Sequence, residues 1–143
     1  MTHASRDTTT GLLFEQYTNR LQKEGINISK KKFCSFLESK GIDNVLNHLS
    51  WRFEPDEAYY LPNTNEIIIY EKKTQHTAGS ADEKLGSCGW KITEYKDACA
   101  AIGINKVSYI YCFSSWFRQP RYTKLLKYIR SIDGCDYFFK EVA

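Results

Sequence analysis

The chain has 143 residues, of which 42% are apolar, 26% charged and 15% aromatic, and its formal net charge is +3. This length fits one domain with an ordinary core, and the composition excludes collagen-like and wholly disordered chains. No apolar run approaches the roughly 20 residues of a membrane-spanning helix, and the polar start lacks the apolar segment of a secretory signal. We therefore expect a flexible N-terminus over residues 1–10 and a single soluble, cytoplasmic domain over residues 11–143.

The cysteines and histidines give no sign of a disulfide framework or a zinc site. Five cysteines are scattered along the chain without a CxxC pair. An odd, dispersed set of this kind predicts reduced thiols in a cytoplasmic protein. The three histidines are equally scattered, and structural zinc sites normally need close-spaced ligand pairs.

The N-terminal part, residues 11–49, has the pattern of helices. Helical spacing of apolar residues predicts helices over residues 11–24, 29–40 and 43–49. Ser29 is the expected N-cap of the second helix. Gly25 and Gly41 are expected to end the first and second helices.

The remainder, residues 50–143, alternates between strand and helix patterns and is the expected catalytic core. Aromatic and β-branched residues predict strands over 51–61 and 66–74 that form a hairpin. The further predicted elements are a helix over 80–102, a strand over 106–113, a helix over 120–132 and an edge strand over 137–139. This order predicts an α/β fold with a mixed central sheet that carries helices on both faces.

Two acidic residues and a lysine meet on one face of the predicted hairpin. Glu71 and Lys73 are two residues apart on a strand, and a hairpin symmetric about the bond between residues 63 and 64 places Asp56 opposite Glu71. Two carboxylates this close repel each other unless a cation lies between them, and oxygen ligands suit Mg²⁺. A metal held in this way, with a lysine beside it, has the components for phosphodiester hydrolysis.

A structural explanation of the same residues is also available. Acidic residues are ordinary near hairpin ends, lysines commonly protect sheet edges, and Pro-Asp is a frequent turn dipeptide. Apolar residues share the face of the two carboxylates, which favours the functional interpretation because charges at the end of a buried face need a reason. These residues are Ala58, Tyr60, Ile67 and Ile69.

The motif formed by these residues resembles that of a known family. Pro55-Asp56, fourteen further residues and then Glu71-Lys72-Lys73 resemble the PD-(D/E)XK nuclease superfamily, and residues 74–85 are similar to the segment after the catalytic lysine in its type II restriction endonucleases. The resemblance implies a restriction-endonuclease-like αβββαβ core. It also implies that Asp56 and Glu71 bind Mg²⁺, with Mn²⁺ as a substitute, and that Lys73 is catalytic. Glu15 is the implied additional carboxylate, although helical spacing places it opposite the apolar face of its helix.

Several further residues are candidates for supporting roles. Gln75 shares the strand face of Lys73 and could order a metal-bound water or touch a phosphate. Ser80 forms a capping box with Glu83, and the alternative is a helix start that faces the metal and favours phosphate. Lys84 is by default a helix-surface lysine and, by hypothesis, a contact to the DNA backbone.

Basic residues near the C-terminus form a second candidate surface. The isoelectric point of about 8.5 is below the value of about 9 that by itself marks nucleic-acid-binding domains, so the placement of charge matters more than its sum. Arg118, Arg121 and Lys124 belong to a cluster that is either a solvated helix face or a DNA-binding surface. Four aromatic residues, Trp51, Trp90, Trp116 and Phe117, could stack on bases. Trp116 and Phe117 are expected in a loop on the DNA-binding side, whereas core packing is the favoured interpretation for Trp51 and Trp90.

These observations together predict a Mg²⁺-dependent endodeoxyribonuclease, most similar to a type II restriction endonuclease. A chain of this length has no room for a separate target-recognition domain, so we expect a homodimer that cuts double-stranded DNA, with no organic cofactor and no membrane. The alternatives are a junction-resolving or repair nuclease of the same fold and a non-catalytic nucleic-acid-binding subunit. The complete set of Asp56, Glu71 and Lys73 disfavours the last of these.

Overall fold

The structure is a computed structural model that describes residue 14 and residues 18–74 and 84–140. Its strands are β1 (Ile26–Asn27), β2 (Glu57–Leu61), β3 (Glu66–Lys73), β4 (Lys106–Phe113) and β5 (Cys135–Phe139). Its α-helices are α1 (Lys32–Ser39), α2 (Cys88–Ala100) and α3 (Thr123–Ser131), and short 3₁₀ turns cover Val45–Asn47, Ser115–Arg118 and Pro120–Tyr122. No helix within these ranges is long and apolar enough to cross a membrane.

The five strands form one mixed sheet in the order β1-β2-β3-β4-β5. The β1–β2 and β2–β3 pairs are antiparallel, and the β3–β4 and β4–β5 pairs are parallel. Helix α2 connects β3 to β4 and α3 connects β4 to β5, as parallel neighbours require. The α/β class and the mixed sheet are confirmed.

The hairpin of β2 and β3 has the symmetric register that the sequence predicts. Ala58 lies opposite Ile69 and Tyr60 opposite Ile67. Asn65 closes the turn with a φ of 52°, a left-handed conformation that asparagine tolerates well, and its side chain accepts a hydrogen bond from the Tyr60 hydroxyl at 2.9 Å. The register therefore fixes which residues of β3 share a face.

Helices α1, α2 and α3 pack on one face of the sheet. The prediction of helices on both faces stays a prediction, because residues 11–13 and 15–17 of the first predicted helix lie outside the described residues. The Phe33 ring of α1 contacts Tyr95 of α2 at 5.1 Å, and Tyr95 contacts Tyr109 of β4 at 5.9 Å. The two crossovers advance in the same direction along the sheet, and connections of one hand then place both helices on the same side. The opposite face is contacted by the segment before β1, where Gln22 accepts from the Tyr70 hydroxyl at 2.9 Å.

The N-terminal predictions need three corrections. Residues 19–24 are not helical, so the first predicted helix does not reach Gly25. Gly25 has a φ of 96°, and a Cβ there would lie 3.0 Å from the Tyr60 carbonyl oxygen, so glycine is required beside β1 and not as a helix end. Ser29 is not a cap: its hydroxyl accepts from the Ala58 amide at 3.0 Å, and α1 begins at Lys32. Strand β1 has two residues, too few to give a strand pattern.

The elements after the hairpin agree better with their predictions. Strand β4 has the predicted bounds, α3 follows a 3₁₀ turn that begins at Pro120, and β5 is the edge strand. The predicted helix 80–102 is described only from residue 84, and α2 begins at Cys88 after a turn over residues 86–87. The helix predicted over 43–49 is a single 3₁₀ turn. All five cysteines are buried and free, as expected.

Candidate active site

Asp56 lies at the start of β2, where the hairpin register continues to place it opposite Glu71. Its side chain is 16% exposed. Oδ2 accepts a hydrogen bond from the backbone amide of Lys72 at 2.7 Å, and Oδ1 accepts one from Nζ of Lys30 at 2.9 Å. These two donors hold the carboxylate in one orientation at the mouth of the hairpin.

Glu71 lies across the two strands from Asp56, close enough for the Asp56 carboxylate to shift its pKa. Burial, followed by the charge of Asp56, raises the pKa of Glu71 to about 8, while Lys73 and Lys91 act in the opposite direction. The raised pKa favours the protonated form of Glu71 beside the Asp56 carboxylate. Two carboxyl groups that share one proton carry a single negative charge, because both cannot ionise cheaply at this distance.

Two lysines lie on the same side of the sheet as this pair. Lys73 shares the strand face of Glu71 and is close enough to lower its pKa. Lys91 is in the first turn of α2, and its own pKa is lowered, first by burial and then by the charge of Lys73. The site therefore combines a carboxyl pair with two cationic groups, Lys73 and Lys91. The hydrogen bonds to Asp56 come instead from Lys30 and from the Lys72 backbone amide.

Lys30 and Lys91 are site residues that sequence reasoning missed. Lys91 lies three residues after the buried Cys88 and four before the buried Tyr95, so helical periodicity alone could have placed it on the inward stripe. Lys30 gives no such signal. It reaches Asp56 from 26 residues earlier in the chain, with a φ of 54° and an amide that donates to the Pro55 carbonyl at 2.8 Å.

A cleft of about 190 Å³ opens beside Glu71. Its lining residues are Trp51, Phe53, Glu54, Glu71, Lys91, Tyr95 and Tyr109. Four aromatic rings form much of its wall: Trp51 and Phe53 come from the segment before β2, Tyr95 from α2 and Tyr109 from β4. The carboxyl pair is thus reached through a pocket that is partly aromatic.

The predicted DNA-binding residues lie at several places around this site. Lys84 is exposed and close enough to Lys91 to lower its pKa. The Arg118 guanidinium lies 4.3 Å from the ring centre of Phe139, at the end of β5. Since β3, β4 and β5 are parallel and end together, Phe139 and the Arg118 guanidinium over its ring lie at the same carboxyl end of the sheet as Lys73.

Arg121 and Lys124 lie next to this end of the sheet. Arg121 lies over the rings of Trp116 and Tyr122 at 5.3 and 4.9 Å and donates to the Tyr122 hydroxyl at 3.1 Å. Lys124 is exposed in the first turn of α3. The structure does not bring either residue to the carboxyl pair.

The aromatic predictions are largely reversed. Phe117 is fully buried against Phe113 at 4.6 Å, and Trp116 is half-buried and donates from Nε1 to Tyr122, so neither ring is free to stack. Trp51 and Trp90, which were expected in the core, are 67% and 61% exposed. The 3₁₀ turn after β4 folds back onto the sheet and buries Phe117, which local composition did not show.

The donor chemistry fits Mg²⁺, with a small protein ligand set. Within residues 18–74 and 84–140, no group of three or more His, Cys, Asp or Glu side chains could hold a metal ion. Mg²⁺ is commonly bound through one or two carboxylates, substrate phosphates and water, so Asp56 and Glu71 suffice. Glu15, Gln75 and Ser80 lie outside the described residues.

Comparison with known proteins adds no assignment. No protein-family profile, no curated protein and no solved structure matches the chain.

Proposed function

We propose that the protein is a Mg²⁺-dependent endodeoxyribonuclease of the PD-(D/E)XK type, most similar to a type II restriction endonuclease. The observation that carries the proposal is the Asp56–Glu71 pair, which the hairpin register brings together beside Lys73 and in which burial and the Asp56 charge raise the pKa of Glu71. Like-charged neighbours do not stabilise a fold, and perturbed carboxyl groups in a cleft are typical of sites that bind cations or transfer protons. Lys73, beside them, supplies a positive charge that can stabilise the negative charge developing on a phosphate during hydrolysis.

The arrangement gives each residue a role in hydrolysis. Asp56 and Glu71 would hold Mg²⁺, which when bound polarises the phosphate and lowers the pKa of an attacking water. Lys73 stabilises the negative charge that develops on the phosphate oxygens. The Lys72 amide and Lys30 orient the Asp56 carboxylate before substrate arrives.

The surrounding cations support DNA as the substrate. Lys91 and Lys84 lie on the helical side of the site, and Arg118 lies at the same end of the sheet as Lys73. A DNA strand that crosses this end of the sheet would meet positive charge on both sides of the phosphate that is cut. Such contacts to phosphates position the DNA but do not distinguish its base sequence. We propose double-stranded DNA as the substrate and a homodimer as the active form, because one site can attack only one strand at a time and two symmetric copies would cut both.

The fold supports the family proposal in part. Strands β2 and β3, helix α2 and strand β4 give the ββαβ order of a restriction-endonuclease-like core, with the acidic residues on the hairpin. Helix α1 lies between β1 and β2 in the chain, so β1, β2 and β3 are not the three consecutive strands of the αβββαβ order. The exposed Trp51 beside the cleft favours a second candidate, a junction-resolving or repair nuclease of the same fold.

Plasmid incubation with Mg²⁺ or with EDTA tests the proposal. Discrete fragments that require Mg²⁺ support a restriction enzyme, and preferential cutting of branched or gapped DNA supports the second candidate. The absence of cutting on every DNA substrate, with binding retained, would contradict the proposal and leave a non-catalytic binding subunit.

A further inference from the structure

The segment that leads into β2 is fixed to the fold, but its largest side chain points outward. The backbone amide of Ser50 donates to Glu94 of α2 at 2.7 Å, and the Ser50 hydroxyl donates to the same buried carboxylate. The Phe53 ring packs on Tyr95 at 5.3 Å. Trp51, between these anchors, is 67% exposed. Its position is therefore set by its neighbours, while the indole faces solvent.

Trp51 forms a wall of the cleft that contains Glu71. The cleft volume of about 190 Å³ is below the roughly 300–1,000 Å³ of pockets for drug-sized ligands, so it suits a single planar ring system. Phe53, Tyr95 and Tyr109 supply further aromatic surface, and Glu54 supplies an acceptor.

We propose that this cleft takes one unpaired nucleobase of a DNA strand, stacked on Trp51, next to the phosphate that Asp56, Glu71 and Lys73 receive. The proposal rests on the proposed nuclease function and adds the substrate class. Base stacking on an aromatic side chain tolerates every base, because every base has a π-face. Glu54 also lines the cleft, and a carboxylate can accept from the exocyclic amine of cytosine or adenine.

The geometry favours an unpaired base over continuous duplex. A base inside a duplex is stacked on both faces and can enter a cleft only if it is flipped out. Flipping costs the free energy of unpairing and unstacking, whereas an unpaired base does not have to be unpaired first. The substrate class is therefore DNA with an unpaired nucleotide beside the cut phosphate, such as a gap, a flap or a branch. This inference prefers the junction or repair alternative to recognition of intact duplex.

Binding of short DNA strands tests the inference without relying on cleavage. Anisotropy of a labelled single strand is measured with Ca²⁺ in place of Mg²⁺, and a strand of equal length with abasic sugars throughout shows what the bases contribute. The wild-type protein should bind the strand with bases at least about tenfold more tightly than the abasic strand. Trp51→Ala should lose this preference, and Trp51→Phe should retain most of it.

Trp90 provides the matched control, since it is 61% exposed and does not line the cleft. Trp90→Ala should bind both strands as the wild type does. Unchanged base preference in Trp51→Ala, an equal loss in Trp90→Ala, or no binding of the strand with bases would each overturn the inference. Cleavage by the wild type together with normal base preference in Trp51→Ala would leave the nuclease proposal standing and remove this one.

Discussion

The two faces of the β2–β3 hairpin carry the same residue types in opposite arrangements. On one face, Nζ of Lys72 lies 2.5 Å from Oε2 of Glu57, and both side chains are only 4% exposed. Oε1 of Glu57 also accepts from the Leu21 amide at 2.7 Å and the Tyr59 hydroxyl at 2.5 Å. This carboxylate is matched by a cation and by two further donors, as a buried charge requires.

The other face brings two groups of like sign together. Asp56 and Glu71 are the sequence neighbours of Glu57 and Lys72, and strand alternation sends them to the opposite side. There the carboxyls meet each other and have to share a proton. The opposite charges of Glu57 and Lys72 stabilise the hairpin on one face. The two like-charged groups on the other face do not, which favours a functional role for Asp56 and Glu71. Residue type alone does not separate the two roles.

The largest expected effect is on cleavage by the carboxyl variants. Asp56→Asn and Glu71→Gln should each lower the single-turnover rate with Mg²⁺ by at least about 10³-fold, because each removes a charge that holds the metal. Thermal stability should stay equal or rise, since the repulsive pair is relieved. Wild-type rates in either variant, measured with saturating Mg²⁺, would show that the pair is not the active site.

Lys73 should matter for the chemical step more than for binding. Lys73→Ala should lower the single-turnover rate by about 10²–10³-fold while DNA affinity in Ca²⁺ falls only modestly, because the charge that Lys73 stabilises appears in the transition state. Lys127→Ala, a change of an exposed lysine on α3, is the control. A loss of affinity as large as the loss of rate would make Lys73 a phosphate contact instead.

Substitutions on the face of the hairpin that carries Glu57 and Lys72 should change the stability of the fold. Lys72→Met leaves Glu57 buried without its cation and should lower the free energy of unfolding by about 3–5 kcal/mol. The double variant Glu57→Gln with Lys72→Met should recover much of that loss, because no unpaired charge remains. Urea unfolding measures both. Equal stability of Lys72→Met and wild type would mean that the Glu57–Lys72 contact does not hold the hairpin.

The shared proton predicts a smaller effect, on pH dependence. The Glu71 pKa of about 8 lies above its ordinary value of 4.5, so the folded state binds more protons between these values. Stability should therefore be fully present below about pH 4.5 and decline as the pH rises toward 8. Glu71→Gln should flatten that part of the profile in thermal melts from pH 5 to 8.5. A wild-type profile that rises over this range would contradict the shared proton.

The hairpin and its charged face were within reach of the sequence, because both depend on local rules. Strand alternation placed Glu71 and Lys73 together, and a symmetric turn placed Asp56 opposite Glu71. Contacts that depend on distant segments were out of reach. Lys30 reaches Asp56 through a left-handed backbone, and Trp51 is exposed because Ser50 and Phe53 anchor its flanks to α2. Hydrophobicity alone would have buried Trp51.

Calorimetric titration of Mn²⁺ into the DNA-free protein at pH 7, in two buffers of different ionisation enthalpy, tests the central claim most directly. A divalent cation that binds between Asp56 and Glu71 must displace their shared proton, so about one proton should be released per ion. Glu71→Gln should bind Mn²⁺ much more weakly and release none. Binding without proton release in the wild type, or equal binding in the variant, would contradict the assignment of this carboxyl pair as the metal site.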